Sequence, residues 1–398
     1  MKDKHKILTT VGIFHAFNDG ALDVIPLLFP ILRVLFDLSY TQIGIITGGG
    51  FFITLVSQVS IGRVSDRKNF RNMLSVGIFL IGITLLLMTQ IQGFLTLLIL
   101  IFVLRFACSF YHPIGIGWVS RTFKKDRLDW GMGVQSAFGD FGSFIAILTT
   151  LFIAERLGWS YPFYFWSAAG FIILFSGLFL TKKIDYKYLE IHDISKGRQP
   201  FREAFSEAWL LLKLNKVLLP GFVVSGVAWS LIINYLPLLL DERTNLTLSS
   251  IGIVVSIWMG VGVIVCLLYG RIKDLLGRRN TLIFSYFIMG FMGFALSFFT
   301  NISVIVLIMF LLGVSTFLTF PAMFSYVSEI THNSVESKTF SYLLTLQLGG
   351  QTILVFAGGV LSDIYGIWIP FTILGFMGLF VGSLLVINLK KSNLSNIK

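Results

Sequence analysis

The chain has 398 residues, of which 55% are hydrophobic and only 13% are charged. Soluble domains carry about a quarter of charged residues, so this composition excludes an ordinary soluble fold and predicts a protein of the lipid bilayer. The formal net charge is +11. Because the basic residues are spread over alternate connections between apolar stretches, the charge indicates membrane topology and we expect no nucleic-acid partner.

Apolar stretches define the predicted elements. A helix that crosses a bilayer needs about 20 mostly apolar residues, and none of the stretches shows the alternation of a membrane-spanning strand. The sequence predicts an all-α integral membrane protein with twelve transmembrane helices. The twelve spans cover residues 7–36, 41–62, 72–91, 94–121, 130–154, 160–181, 214–240, 249–270, 280–299, 303–329, 337–363 and 367–389.

The first span follows a basic N-terminus. It is too long, and too polar in its middle, for a cleaved signal peptide, so we predict an uncleaved first helix. The two cysteines of the sequence, Cys108 and Cys266, each lie inside a predicted span. The cysteines therefore indicate neither a disulfide framework nor a metal-thiolate site.

Basic residues predict the orientation in the membrane. Of 31 Lys and Arg residues, 27 lie in the termini and in every second connection, whereas the opposite connections hold three, Arg33, Arg156 and Arg243. Basic connections remain on the cytoplasmic side of a membrane. We predict a multi-pass protein of the cell (inner) membrane with both termini in the cytoplasm.

One connection is longer and more polar than the others, and it divides the chain. It predicts a cytoplasmic linker over residues 182–213, between an N-terminal six-helix bundle, 1–181, and a C-terminal six-helix bundle, 214–398. Within it, residues 201–214 have the pattern of an amphipathic helix on the inner membrane surface. We predict a solvated linker that joins the two bundles, with this amphipathic helix as the alternative.

A short charged segment occurs twice, 208 residues apart. Residues 62–71, GRVSDRKNFR, and residues 270–279, GRIKDLLGRR, both place an aspartate four residues and an arginine nine residues after a glycine. The same shift aligns further residues of the two halves. Repeated halves predict two pseudo-symmetric bundles, with a substrate path at the midplane where they face each other, which is typical of a transporter.

The repeated segment predicts a conformational latch at the cytoplasmic ends of the helices. Its glycine lets two helix ends approach, its aspartate faces the N–H groups of the next helix, and its basic residues lie level with the lipid head groups. The predicted latch residues are Gly62, Asp66, Arg71, Gly270, Asp274, Arg278 and Arg279.

Ionisable residues inside the spans are confined to the first half, and their counterparts 208 residues later are uncharged. An ionisable side chain near the bilayer centre costs about 2.5–3.5 kcal/mol, so residues that the repeat does not require indicate function. We predict that Arg105 holds one acid ionised while another loads and releases a proton; a static brace between helices is the alternative. The predicted proton-coupling residues are Asp19, Asp23, Arg105 and Asp140.

Helical spacing arranges the polar residues of the first half in stripes. His15, Asp19 and Asp23 are four residues apart on span 1, with Asn18 beside them. At a rise of about 1.5 Å per residue, His15 lies at the same depth as His112 of span 4. For the two histidines, hydrogen bonds that only pack the helices are the alternative function.

The second half has no ionisable residue near the middle of the membrane. Its polar side chains there are hydroxyl and amide groups among apolar and aromatic ones, and such a pocket suits a partly apolar solute. The residues that we predict to contact the solute are Trp229, Asn234 and Thr316.

Several short motifs resemble a known family. Residues 15–19, HAFND, residues 111–113, YHP, and residues 135–139, QSAFG, with 141–143, FGS, are similar to motifs of the fosmidomycin-resistance branch of drug exporters. The paired charged segments and the long central connection resemble the major facilitator superfamily over essentially the whole chain. Two departures are Asn69 and Phe70, where the pattern has a glycine and a basic residue, and the absence after Ser143 of the Gly-Pro associated with antiport.

The resemblance implies a major facilitator fold in which spans 1 and 4 line a central cavity, so that their polar stripes face each other. The first-half cavity residues that it implies are His15, Asn18, His112 and Gln135.

The sequence predicts a secondary active transporter that works by alternating access, with proton-coupled export of small drug-like or phosphonate-like compounds as its function. Proton-coupled import of a small anionic metabolite is the alternative, because the Gly-Pro is missing and Arg105, His15 and His112 offer positive groups. A non-transporting receptor of the same fold is a third. No catalytic constellation indicates an enzyme. We expect the proton as coupling ion, no other cofactor, a small-molecule substrate and lipid as partners, and a monomer.

Overall fold

The computed structural model describes residues 2–65, 69–123, 125–184, 206, 209–210, 213, 216–330 and 336–388. Over these residues all the long regular elements are α-helices. Those up to residue 184 are α1 (Lys2–Leu35), α2 (Tyr40–Ser65), α3 (Phe70–Met88), α4 (Phe94–Cys108), α5 (Tyr111–Thr122), α6 (Lys125–Leu157) and α7 (Tyr161–Thr181). Those after residue 216 are α8 (Leu219–Asn234), α9 (Leu236–Arg243), α10 (Leu248–Leu276), α11 (Arg278–Phe298), α12 (Ile302–Ile330), α13 (Glu336–Tyr365) and α14 (Ile369–Asn388).

The helices confirm the predicted fold class. Among the described residues, ten helical stretches are long and apolar enough to cross a bilayer, or eleven if α8 and α9, which meet at 47°, form one span. The 34-residue α1 occupies the first predicted span. It is not among the ten, and His15, Asn18, Asp19 and Asp23 lie in its middle.

The fourth predicted span is one membrane span, Phe94–Thr122, that contains α4 and α5, and the seventh consists of the bent pair α8 and α9. Pro113 lacks the N–H that would bond the carbonyl of Ser109, and its ring crowds that carbonyl. The helix is therefore interrupted at residues 109–110. The N–H of Ser109 bonds the carbonyl oxygens of Arg105 and Phe106, both at 3.1 Å. Pro237 likewise lies near the start of the second helix of its span, just after the break between α8 and α9 at Tyr235.

The chain forms two compact units, Met1–Lys196 with Leu236–Ser256, and Gly197–Tyr235 with Ile257–Lys398. Residues 236–256, which the sequence prediction assigned to the C-terminal bundle, thus group with the N-terminal helices. The predicted linker, 182–213, lies mostly outside the described residues, as does its amphipathic segment. The predicted domain boundaries stay a prediction.

A close helix crossing positions the polar residues of the first unit. An ideal Cβ at Gly142 of α6 would lie 1.8 Å from the carbonyl oxygen of Ala16 in α1. Only a glycine therefore lets the two backbones approach this closely. The contact brings the polar stripe of α1 against residues 135–143 of α6.

Glycines serve the same purpose in the second unit. A Cβ at Gly378 of α14 would lie 2.7 Å from the Cα of Gly290 in α11, and one at Gly293 would lie 2.8 Å from the backbone nitrogen of Gly375. The α11–α14 pair thus packs backbone to backbone, as small residues permit in membranes.

Candidate functional site

Two histidines and an aspartate from α1 and α5 meet in the first unit. His15 Nε2 lies 3.0 Å from Asp19 Oδ2, and His112 Nε2 lies 3.9 Å from Asp19 Oδ1. The two imidazole rings meet edge to face, with their centres 5.4 Å apart. We call these three residues the His–Asp–His cluster. The polar stripes of spans 1 and 4 therefore do face each other at this depth.

The structure fixes the His15 ring from two sides. Its Nδ1 lies 2.7 Å from the backbone carbonyl oxygen of Gln135, and its ring stacks on Tyr111 at 4.2 Å between centres. The hydroxyl of Tyr111 lies 3.1 Å from the carbonyl oxygen of Val11 and 2.9 Å from Gln135 Oε1. Because a carbonyl only accepts, the Nδ1 of His15 carries a hydrogen.

Asp19 is oriented by its neighbour on the helix. Asn18 Nδ2 donates a hydrogen bond of 2.9 Å to Asp19 Oδ1. Gly139 of α6 leaves room for the carboxylate, since a Cβ there would lie 2.8 Å from Asp19 Oδ2. The Asp19 side chain is 25% exposed and that of His112 40%, whereas that of His15 is 8% exposed. The cluster is thus buried on the His15 side and open on the His112 side.

Asp23 lies one turn further along α1 and is almost fully buried. Ser143 of α6 lies close enough to act on its carboxyl group, and Oδ2 has no hydrogen-bond partner among the described residues. An ionisable side chain at membrane depth is costly to insert, so Asp23 is a candidate for a role in function.

Arg105 does not pair with an aspartate. Its guanidinium carbon lies 4.6 Å from the centre of the Phe51 ring, and its aliphatic part packs over Gly50. Among the described residues, no carboxylate lies within ion-pair distance of it. The predicted Arg105–aspartate contact is therefore not formed in this structure, because the side chain turns toward α2.

Asp140 and Gln135 stand on α6 beside the cluster. Asp140 is half-buried and close enough to His15 to act on it electrostatically. Gln135 is buried and donates from Nε2 to the Ser136 hydroxyl at 3.1 Å. Its backbone oxygen holds His15, as described above. The structure thus gathers all the predicted first-half residues except Arg105 around α1 and α6.

An aromatic group surrounds Trp229 in the second unit. The ring of Trp229 lies 4.8 Å from Trp258 of α10, 5.1 Å from Phe317 and 6.4 Å from Phe320, both of α12. Trp258 is fully buried, whereas Trp229 is partly exposed. Trp229 therefore presents the accessible face of this group.

Several buried polar atoms of the second unit have no hydrogen-bond partner among the described residues. Asn234 donates from Nδ2 to the Ser230 carbonyl at 2.7 Å, but its Oδ1 is unpaired. The hydroxyl of Thr316 is also unpaired. Buried polar groups are normally satisfied by protein or water. The other unpaired atoms of α10 and α13 are Trp258 Nε1, the Tyr269 hydroxyl and Gln347 Oε1.

The predicted latch residues do not form one cluster. Arg71 donates to the carbonyl oxygen of Thr181 at the end of α7, and Arg279 donates to that of Val386 near the end of α14, at 3.3 and 3.0 Å. Each arginine thus stabilises the C-terminal end of the last helix in its half. Asp274 pairs with Lys273 at 3.1 Å.

The remaining latch residues are placed as follows. Gly62 lies in α2, Gly270 in α10 and Arg278 at the start of α11. Asp66 lies outside the described residues. The function of the latch stays a prediction.

Sequence reasoning did not identify Tyr111, Gly139 or Trp258 by their roles. Tyr111 precedes His112 directly and Gly139 precedes Asp140, so only their position next to polar residues could have pointed to them. Trp258 gave no signal, because a tryptophan in an apolar span is typical of packing.

The crossed α1–α6 pair, the broken spans and the intramembrane polar cluster define a polytopic membrane transporter. Residues 8–347 match the sequence pattern of the Major Facilitator Superfamily, and the chain belongs to this superfamily. It is a transporter and not an enzyme, as the sequence predicted, and the family supports secondary transport as its activity.

Relatives with assigned names share modest identity. The chain is 24% identical to an MFS-type transporter of Methanocaldococcus jannaschii, over 82% of this chain and 83% of that protein. It is 22% identical to the probable sulfoacetate transporter SauU of Cupriavidus necator, over 70% and 67%. It is 20% identical to the proton-coupled antiporter flippase LtaA of Staphylococcus saprophyticus, over 48% and 49%.

Solved structures share the fold. The nucleoside transporter NupG has a TM-score of 0.78 at 13% identity and covers 97% of this chain and 100% of its own. A bacterial homologue of the human lysosomal transporter Spinster, solved in an inward-facing conformation, has a TM-score of 0.74 at 14% identity, covering 96% and 95%. At this identity the likeness concerns the fold alone.

Proposed function

We propose that this protein exports small, partly apolar compounds in exchange for protons. The observation that carries the proposal is that α1 holds two carboxylates at membrane depth, Asp19 and Asp23, and neither is paired with Arg105. A carboxylate without a permanent cationic partner can change its protonation state when its surroundings change. One of the two would load a proton and release it during each cycle, with Asp140 as a third acceptor beside them.

The energy available is sufficient for export. One proton that moves down a gradient of about one pH unit, with about 100 mV assisting, supplies about 3.7 kcal/mol. This corresponds to a concentration ratio of several hundred for a neutral solute. The relative named as a proton-coupled antiporter flippase supports antiport as the coupling mode.

The residues of the second unit support a partly apolar solute. The accessible face of Trp229 and the unpaired atoms of Asn234 and Thr316 offer an aromatic surface with single hydrogen-bonding groups. Such a surface suits drug-like compounds with an apolar body and few polar groups. The motifs that resemble those of fosmidomycin-resistance exporters separately suggest fosmidomycin, a small phosphonate, as a probe substrate.

Import of a small anion by proton symport is the second candidate. It is favoured by Arg105, a guanidinium at membrane depth without a carboxylate partner among the described residues. A relative is named as a probable sulfoacetate transporter, which fits a small anionic solute.

Flux into proteoliposomes separates the two candidates whatever the orientation of the protein. Antiport predicts that labelled fosmidomycin accumulates in vesicles with an acidic lumen, because protons leave as the solute enters. Symport predicts accumulation from an acidic bath instead, with sulfoacetate as the better solute. A protonophore should abolish either signal, and the double variant Asp19→Asn, Asp23→Asn is the control for coupling. Equal flux in both gradients, unaffected by the protonophore, would refute proton coupling.

The cellular setting completes the proposal. We propose a monomer in the cell (inner) membrane, with both termini in the cytoplasm and with the repeated charged segments acting as cytoplasmic latches. The distribution of basic residues supports this orientation. Reporter fusions at each terminus that fluoresce only in the cytoplasm test it.

A further inference from the structure

We propose that the His–Asp–His cluster is a binding site for a single divalent transition-metal ion of the Zn²⁺ and Co²⁺ class. Among the residues that the structure describes, it is the one group of three such side chains whose ligand atoms lie within 4.8 Å of one another. Imidazole nitrogens with one carboxylate are ligands that Zn²⁺ and Co²⁺ accept, whereas Mg²⁺ and Ca²⁺ prefer oxygen alone.

The distances suit one ion between the three side chains. In a tetrahedral zinc site with bonds of about 2.0–2.1 Å, neighbouring ligand atoms are about 3.3 Å apart. Here His15 Nε2 is 3.0 Å and His112 Nε2 is 3.9 Å from the nearest Asp19 oxygen. A small rotation of His112, which is the most exposed of the three, would bring its nitrogen to the required distance. The fourth position then opens on the exposed side, toward water or a solute.

The second ring nitrogen of His15, Nδ1, fixes the ring so that Nε2 can bind a metal. The Nδ1–H donates to the Gln135 carbonyl oxygen at 2.7 Å, which leaves the lone pair on Nε2. Histidines that bind metals characteristically make this backbone hydrogen bond, because it fixes the tautomer and the ring orientation. The Nε2 atom itself is buried and has no hydrogen-bond partner among the described residues, although Asp19 is close to it.

The surroundings of Asp19 favour a cation. Among the groups that act on its charge are His15, His112 and the amide of Asn18, and the carboxyl groups of Asp23 and Asp140 are also close enough to interact with it. Neither lysine nor arginine is among them, and Arg105 turns instead to Phe51. Asn18 donates a hydrogen bond to Asp19 Oδ1 and so orients the carboxylate, as residues around a metal site commonly orient its ligands.

Gly139 keeps the space between the ligands open. A Cβ at this position would lie 2.7 Å from His15 Nε2 and 2.8 Å from Asp19 Oδ2. A methyl group would therefore occupy the region between the two ligand atoms. This provides a variant that blocks the site without removing a ligand.

The test is equilibrium binding of the metal alone to the purified full-length protein. The protein is freed of any polyhistidine tag, treated with chelator and placed in nanodiscs, and Zn²⁺ is titrated by calorimetry. Co²⁺ absorption then reports four-coordinate nitrogen and oxygen ligation. We expect one ion per chain, an intense Co²⁺ spectrum, and no displacement by excess Mg²⁺. The metal should also raise the midpoint of thermal unfolding, because it binds only the folded state.

The variants make the result specific to the cluster. His112→Ala and Gly139→Ala should each weaken binding by at least about 10-fold and abolish the thermal shift. His5→Ala is the matched control, because His5 is an exposed histidine of the same helix, beside Trp130 and not in the cluster; it should bind as the unchanged protein does. His112→Gln replaces His112→Ala if that variant is not monodisperse.

Two results would overturn the proposal. The unchanged protein binding no Zn²⁺ would mean that His15 and Asp19 form only a protonated ion pair. Equal affinity in the cluster variants and the unchanged protein would place the ion at an adventitious surface site. Neither result depends on the transport reaction proposed above, because the measurement involves no flux and no proton gradient.

Discussion

Replacing Gly142 with alanine is expected to force helices α1 and α6 apart. The new Cβ would lie 1.8 Å from the Ala16 carbonyl oxygen, and ordinary contact begins at 3.4 Å. The backbones would therefore have to separate by about 1.6 Å, which no side-chain rotation can avoid because the obstacle is a main-chain atom. Overpacking of a core typically costs about 1–3 kcal/mol, and a backbone collision belongs at or above the upper end of that range.

Gly133 of the same helix supplies the matched control. An added Cβ there meets no atom within 4 Å, so Gly133→Ala should gain about 1 kcal/mol from helix propensity. The two variants are chemically identical, yet their free energies of unfolding should differ by about 4 kcal/mol. Unfolding by SDS in mixed micelles measures this difference. If Gly142→Ala were as stable as Gly133→Ala to within about 1 kcal/mol, the close α1–α6 crossing would be refuted.

Four further predictions concern single residues of the candidate site and of the predicted latch. Asp19→Asn should fold and exchange solute but lose flux driven by a pH step; full retention of that flux would move coupling to Asp23 or Asp140. Trp229→Ala should weaken binding of an aromatic solute by about 2- to 13-fold, equivalent to one aromatic pair, whereas Phe291→Ala, on an exposed face of α11, should leave the dissociation constant unchanged. Arg279→Gln should lower the free energy of unfolding by at least about 0.3 kcal/mol, because it removes the charge that contacts the Val386 carbonyl at the end of α14; an unchanged free energy would count against that contact. Asp274→Ala should slow turnover and change solute affinity by no more than about 3-fold, a limit set by the exposure of its carboxylate; weaker equilibrium binding with normal turnover would count against a latch.

The sequence predicted the spans well because apolar length is a direct requirement of the bilayer. It also predicted that His15 and His112 lie at one depth, since helical rise is nearly constant. Their ring centres are 5.4 Å apart in the structure. These successes share one cause, which is that they depend on local helix geometry and not on the packing of distant side chains.

The contacts of long side chains were not predictable in the same way. Arg105 has the depth to meet an aspartate, yet its guanidinium lies over Phe51 because Gly50 leaves room for its stem. The break between α4 and α5 could not be predicted from its proline alone. Pro113 interrupts the helix, whereas Pro321, its counterpart in the repeat, lies inside the continuous α12. Packing around each proline decides the outcome, and one sequence does not reveal that packing.

The break between α4 and α5 also has a geometric consequence. In an unbroken helix, Arg105 and His112 would be held about 10 Å apart, with their relative directions fixed by about seven residues of regular helix. Here they belong to two helices joined by Ser109 and Phe110, so the rotation of α5 about its axis is not tied to that of α4. One span can therefore turn its arginine to Phe51 of α2 and its histidine to Asp19 of α1.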